Sequence, residues 1–139
     1  MAKIISIWKR TSLNNDIGIQ LKQICEAIAP DNITPSPSVV HNQENWAYGI
    51  MNPVTSIETT SKGVLLGALF EETKEWDEIG RNHLDGSFAI FRDDEHHAQI
   101  CSDMGGTRSI WYYTDHEYFI ASTSQRASHR PQIAAACCR

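Results

Sequence analysis

Several things are scarce in this chain, and each scarcity excludes a class of protein. Basic residues are few: 12 Lys and Arg stand against 17 Asp and Glu, for a net charge of −5 with neutral histidines. The basic residues are scattered, which speaks against a nucleic-acid footprint. No apolar run approaches the roughly 20 residues needed to cross a bilayer. The opening MAKIISIWKR is too short in its apolar part and too soon charged for a signal peptide, so a cytoplasmic protein is expected, with no membrane partner. Only four cysteines occur, Cys25, Cys101, Cys137 and Cys138, and no pair has a C-x-x-C spacing. A disulfide framework is therefore not expected, and the two cysteines in apolar patterns read as buried thiols. There are no internal repeats and no low-complexity stretches.

What remains is ordinary globular material. At 139 residues, 41% hydrophobic and 21% charged, the chain is long enough for one domain with a real core. The segment AKIISIW (2–8) is apolar on both faces and predicts a strand covered on both sides. Asn14, Asn15 or Asp16 can cap a helix that runs to about Ala29, with Ile17, Leu21, Ile24 and Ile28 on one stripe, and Pro30 stops it. PDNITPSPS (30–38) is a connector. NWAYGIM (45–51) reads as a strand closed by Asn52–Pro53, SIETTSKG (56–63) as an exposed hairpin or loop, and VLLGALF (64–70) as a strand with no solvent face. EETKEWDEIGRNH (71–83) reads as a short helix and loop.

GSFAIFRD (86–93), HAQICSD (97–103), IWYYTD (110–115) and YFIAST (118–123) are four short strands in succession. They predict an antiparallel meander, with a glycine pair, Gly105–Gly106, turning the chain between two interior strands. Because both faces of FAIF are apolar, the sheet is expected inside a layered structure. The end, SHRPQIAAACCR (128–139), follows no pattern. It reads either as a disordered tail or as sequence beyond a native frame that ends near Ala127.

The run LDGSFAIFRDDEHHAQICSDMGGTRSIWYYTDHEYFIAST (84–123) resembles the N-terminal glutaminase domain of class II glutamine amidotransferases, in the form found in asparagine and β-lactam synthetases. The matching residues are Leu84, Gly86, Phe88, Ala89, Asp103, Gly105, Arg108, Tyr112, Tyr113, Ile120, Ala121 and Ser122. Upstream, IQLKQICEAIAPDN and VLLGALFEE are looser likenesses in the right order. The resemblance implies an α+β fold: an αββα sandwich of two antiparallel sheets flanked by helices, of the N-terminal-nucleophile hydrolase type, over residues 1–127. It also implies that Asp103 and Arg108 fix the glycine turn.

In that family a cysteine at position two attacks the amide, with its own α-amine as base. Here the position holds Ala2, whose methyl group attacks nothing, and Ser6 lies inside the strand. Aligned on Gly67, the family's oxyanion-donor asparagine is replaced by Glu71, which cannot donate when ionised. Loss of one such donor alone costs about 10²–10³ in rate. The segment between Glu71 and Leu84 is short for the family's substrate-gripping aspartate, and PDNITPSPS lacks the family's Arg-Gly.

The resemblance thus implies a chain with no catalytic residues and no cofactor. Its partner would be an ATP-dependent synthetase domain or chain, and homodimerisation stays open. An active, ammonia-supplying glutaminase and a free-standing binding module are the alternatives. No Ser-Gly-Gly-x-Asp-Ser loop for pyrophosphate occurs, and MGGTR is followed by a strand where a phosphate cradle opens a helix. His96, His97 and His116 read as solvated turn residues and no metal ligand set is expected, while Trp8, Trp46, Trp76 and Trp111 read as core packing.

Overall fold

The computed structural model describes residues 2–13, 16–28, 38–53, 56–71 and 74–125. Residues 30–37 of the 30–38 connector and the whole of the 128–139 tail, on which two of the expectations above fall, lie outside them. The chain is mixed α+β and divides into two compact units, Met1–Pro53 with Trp111–Arg139, and Val54–Ile110.

The first unit holds β1 (Lys3–Lys9), α1 (Ile17–Ile28), β2 (Val39–Asn42), β3 (Trp46–Met51), β8 (Trp111–Thr114) and β9 (Tyr118–Ser122). Its five strands run β2-β3-β1-β9-β8, every pair antiparallel. Central β1 alternates its side chains between two faces, and Ile4 through Trp8 are all buried, as an apolar run without alternation requires. Ile5 and Ile7 point to one face, where they meet Ile17, Leu21 and Cys25 of α1, with Ala47, Met51, Tyr118 and Ile120. These helix residues recur every four positions, so one stripe carries the contact. Burial of Leu21 alone contributes about 1.5–3 kcal/mol. On the other face Trp46, Trp8 and Phe119 stack across three strands, at 5.6 and 5.1 Å between ring centroids. Trp46 Nε1 donates to the buried Ser6 Oγ at 2.6 Å, so Ser6 serves the core.

The second unit holds β4 (Ile57–Thr59), β5 (Gly63–Leu69), β6 (Gly86–Asp93) and β7 (Ala98–Ser102), in the antiparallel order β4-β5-β6-β7. In β6, Phe88 through Arg92 are all buried, so both faces of that strand are covered. SIETTSKG is the β4–β5 hairpin, closed by Thr60 N–H donating to Gly63 O at 2.9 Å.

Four expectations change. The meander is two hairpins in two different sheets: β6 pairs β7 in the second unit, and β8 pairs β9 in the first. The link between β7 and β8 is too long for a tight hairpin, and Asp103 ties its start back to β6. Next, β8 is not interior; all four of its residues are exposed, including Trp111 at 40%. Third, β5 loses its covered character after Gly67, where burial begins to alternate and Phe70 beyond it is 72% exposed. Finally, the described part of 71–83 forms turns and no helix. The carbonyls of Trp76 and Arg81 there accept from the Arg92 guanidinium at 3.0 and 3.1 Å instead of bonding within a helix. VVHN, unassigned from the sequence, is β2, an edge strand of largely exposed residues whose short pattern shows no clear period.

Candidate functional site

Ala2 lies in the first unit, buried immediately before β1. Its neighbourhood offers no substitute nucleophile in Ser6, whose oxygen is engaged by Trp46. Cys25 is no substitute either. It is buried on α1, and burial pushes its thiol up to about 11, while a hydrogen bond with Ser38 works in the opposite sense. A thiol so placed stays protonated and unreactive at neutral pH.

Glu71 lies in the second unit, two residues beyond the end of β5 and exposed. It borders a groove of about 550 Å³ lined by β4, β5 and the turns after them, with Glu58, Gly67, Phe70, Lys74 and Trp76 among its walls. Trp76 is buried in the core with Leu65, Phe88 and Ile90, and its Nε1 donates to Glu58 Oε1 at 3.1 Å. The groove therefore has an apolar floor and a rim of carboxylates and one ammonium. Such a lining can hold a small amphipathic molecule. The groove's described lining holds one hydroxyl, Ser56, and no histidine or cysteine.

The turn after β7 is built around Asp103, as expected. Its Oδ2 accepts from Phe88 N–H at 3.1 Å and from the Thr107 hydroxyl, and its Oδ1 accepts from Thr107 N–H at 3.2 Å. Gly106 N–H closes the turn onto Asp103 O at 3.0 Å. Gly106 has φ of 60° and open space where a Cβ would stand, so the need for glycine there is conformational and not steric. Arg108 does not share the task through its Nε, which is buried and without a hydrogen-bond partner among the described residues. Its side chain lies against Gly67, with Nε 3.1 Å from where a Cβ would be.

Accepting from the Thr107 hydroxyl, Asp103 is held below the ordinary carboxylate value of 3.8. Asp94 and Asp115 are lowered too, the first mainly by the His96 amide and the second by the Tyr118 and Glu117 amides. A carboxyl lowered in the folded state stabilises it above the unfolded value, and that stabilisation is lost as pH falls through the folded value. The thermal midpoint is thus expected to fall as the buffer is taken below about pH 4. Asp103→Asn should lower the midpoint at pH 7 and flatten the acid limb. An acid limb identical to that of the natural chain would remove Asp103 from this account.

Arg92 was missed in the sequence. It is fully buried, and in addition to the two carbonyls it donates to Gln99 Oε1 at 2.5 Å and approaches Cys101 Sγ at 3.6 Å. No carboxylate pairs with it among the described residues. The signal was its phase: Phe88, Ile90 and Arg92 alternate onto one face of β6, so an arginine is aimed into the core. Burial raises the Cys101 thiol, and the Arg92 charge partly offsets this.

His96 and His97 are exposed at the β6–β7 turn, where their amides donate to Asp94 Oδ1, and His116 is exposed at the β8–β9 turn. Among the described residues no three His, Cys, Asp or Glu side chains gather where a metal could bind. Trp8, Trp46 and Trp76 are core residues, and Trp111 is not. No helix among the described residues is long and apolar enough to cross a membrane. No family model matches the chain, and no curated protein or solved structure matches it either.

Proposed function

We propose that this chain is a degenerate, non-catalytic glutamine amidotransferase-like domain of the asparagine-synthetase type, a structural partner of an ATP-dependent amide-forming domain or chain. In this reading its two antiparallel sheets are the inner layers of an αββα sandwich. The observation that carries the loss of catalysis is the buried methyl of Ala2 where the resemblance calls for a thiol. The wholly antiparallel pairing within each sheet, and the helix packed on the first, agree with this reading. The carboxylate of Glu71 supports loss of the oxyanion donor as well.

Purified protein incubated with glutamine is expected to release no ammonia above a protein-free control. Ala2→Cys is expected to release none, since a nucleophile restored without an oxyanion donor remains about 10²–10³ below a complete site. Glutamine turnover by the natural chain would overturn the reading in favour of an active glutaminase. A free-standing binding module is the second reading, favoured by the groove beside Glu58, Phe70 and Glu71. A Ser-Gly-Gly-x-Asp-Ser segment encoded downstream of Ala127, or on a chain that co-purifies, would decide against it.

A further inference from the structure

We propose that the outer edge of β8 pairs with β8 of a second copy, antiparallel about a two-fold axis at Tyr112. The strand is the last of its sheet, so one side of its backbone ladder has no neighbouring strand among those described. Which groups point outward follows from the β8–β9 turn. Asp115 N–H donates to Tyr118 O at 2.9 Å, so that pair is hydrogen-bonded. Antiparallel pairs alternate between bonded and non-bonded. With Tyr113 opposite Ile120 and Tyr112 opposite Ala121, Tyr113 bonds inward to β9 and Tyr112 and Thr114 direct N–H and C=O outward. A two-fold through the Tyr112 pair sets each outward group of one copy against the complementary group of the other. The same register sets Trp111 against Tyr113, the kind of aromatic cross-strand pair that stabilises sheets.

The edge also lacks the devices that keep such strands apart. Natural edges carry lysine, proline or a bulge. SIWYYT (109–114) has no charged residue and no proline, although the chain as a whole carries −5. Two acidic copies therefore approach at this strand without opposing like charges. Trp111, Tyr112 and Tyr113 are 40, 66 and 47% exposed, with Tyr112 on one face of the strand and Trp111 and Tyr113 on the other, so aromatic surface flanks the edge on both sides. Aromatic side chains present about 150–250 Å² each when fully exposed, so the three supply about 300 Å² per copy. The total, at most about 600 Å², is below the roughly 1,200 Å² of a permanent interface. The dimer is accordingly weak and concentration-dependent.

Sedimentation of the full chain from about 10 μM to about 1 mM is expected to show a rising dimer fraction. Tyr112→Lys, which places two ammonium groups on the axis, should abolish it. Thr114→Pro should do the same by deleting an outward N–H, a change an edge strand tolerates without loss of its own ladder. Circular dichroism matching the natural chain shows that both variants remain folded. In a chain carrying Cys137→Ser and Cys138→Ser, Tyr112→Cys should form a disulfide-linked dimer on mild oxidation, since a bonded antiparallel pair has its Cα atoms about 5.5 Å apart. Tyr113→Cys should not. A monomer throughout the range, equal cross-linking at 112 and 113, or a dimer that appears only after truncation at Gln125 would each overturn the proposal.

Discussion

Replacing Gly67 with alanine is expected to cost at least about 3 kcal/mol, enough to deplete the folded state of a chain with ordinary stability. Gly67 sits in β5 opposite Phe88 with φ of 112°, a conformation that L side chains rarely adopt. An added Cβ would stand 2.1 Å from Ser87 O, which is backbone of the paired strand. Neither strand can move without breaking the β5–β6 ladder, so the strain of about 1–3 kcal/mol adds to a clash that side-chain motion cannot relieve. Gly106→Ala is the control. It has the same sign of φ but nothing near the new methyl, and about 1–2 kcal/mol is expected. Urea unfolding followed by tryptophan fluorescence measures both. Equal losses at the two positions would show that the β5–β6 approach is not what demands Gly67.

Arg92→Ala is expected to destabilise by about 3–5 kcal/mol. The substitution leaves Trp76 O and Arg81 O without the Arg92 donor, at about 1–3 kcal/mol for a buried acceptor, while Gln99 Oε1 keeps the Gly80 N–H at 3.1 Å. It also opens a cavity where one of the largest fully buried side chains stood. Relief from holding a charge out of water offsets part of this, which is why the simple sum is not reached. Arg92→Met restores most of the volume and none of the donors, so it should fall between alanine and the natural residue. The first consequence should be local: with its carbonyls released, the 74–81 segment uncovers Trp76. Hydrogen exchange should therefore rise in that segment before the strands respond. Were methionine as stable as arginine, the donors would not matter and packing alone would explain the site.

The strands were legible wherever burial was two-sided or turn chemistry was local. IISIW and FAIF carry no polar alternation, and both proved covered on both faces. The helix was legible because Ile17, Leu21 and Ile24 keep the helical spacing, and Cys25 completes the buried stripe. Asp103 was expected to fix the turn only through the family resemblance, and the fold bears this out because an aspartate before a glycine turn can accept several amides at once. The 71–83 segment was misread because its polar composition suits a helix. Its backbone carbonyls are claimed by Arg92, which is distant in sequence. Of the candidate site, Ala2 and Glu71 were legible as residue types, but the groove beside Glu71 arises only when β4, β5 and the turn holding Trp76 come together.

The amino-acid order by itself determined where the two-sided strands β1 and β6 lie, which helix face is apolar, and that Ala2 carries no nucleophile. Those are properties of neighbouring residues and of side-chain chemistry. Only the tertiary structure decided which strands share a sheet. The hairpins β6–β7 and β8–β9 look alike in sequence, yet they join different sheets. Strand partnership depends on which backbone edges remain available once the other strands have paired, and no local pattern records that.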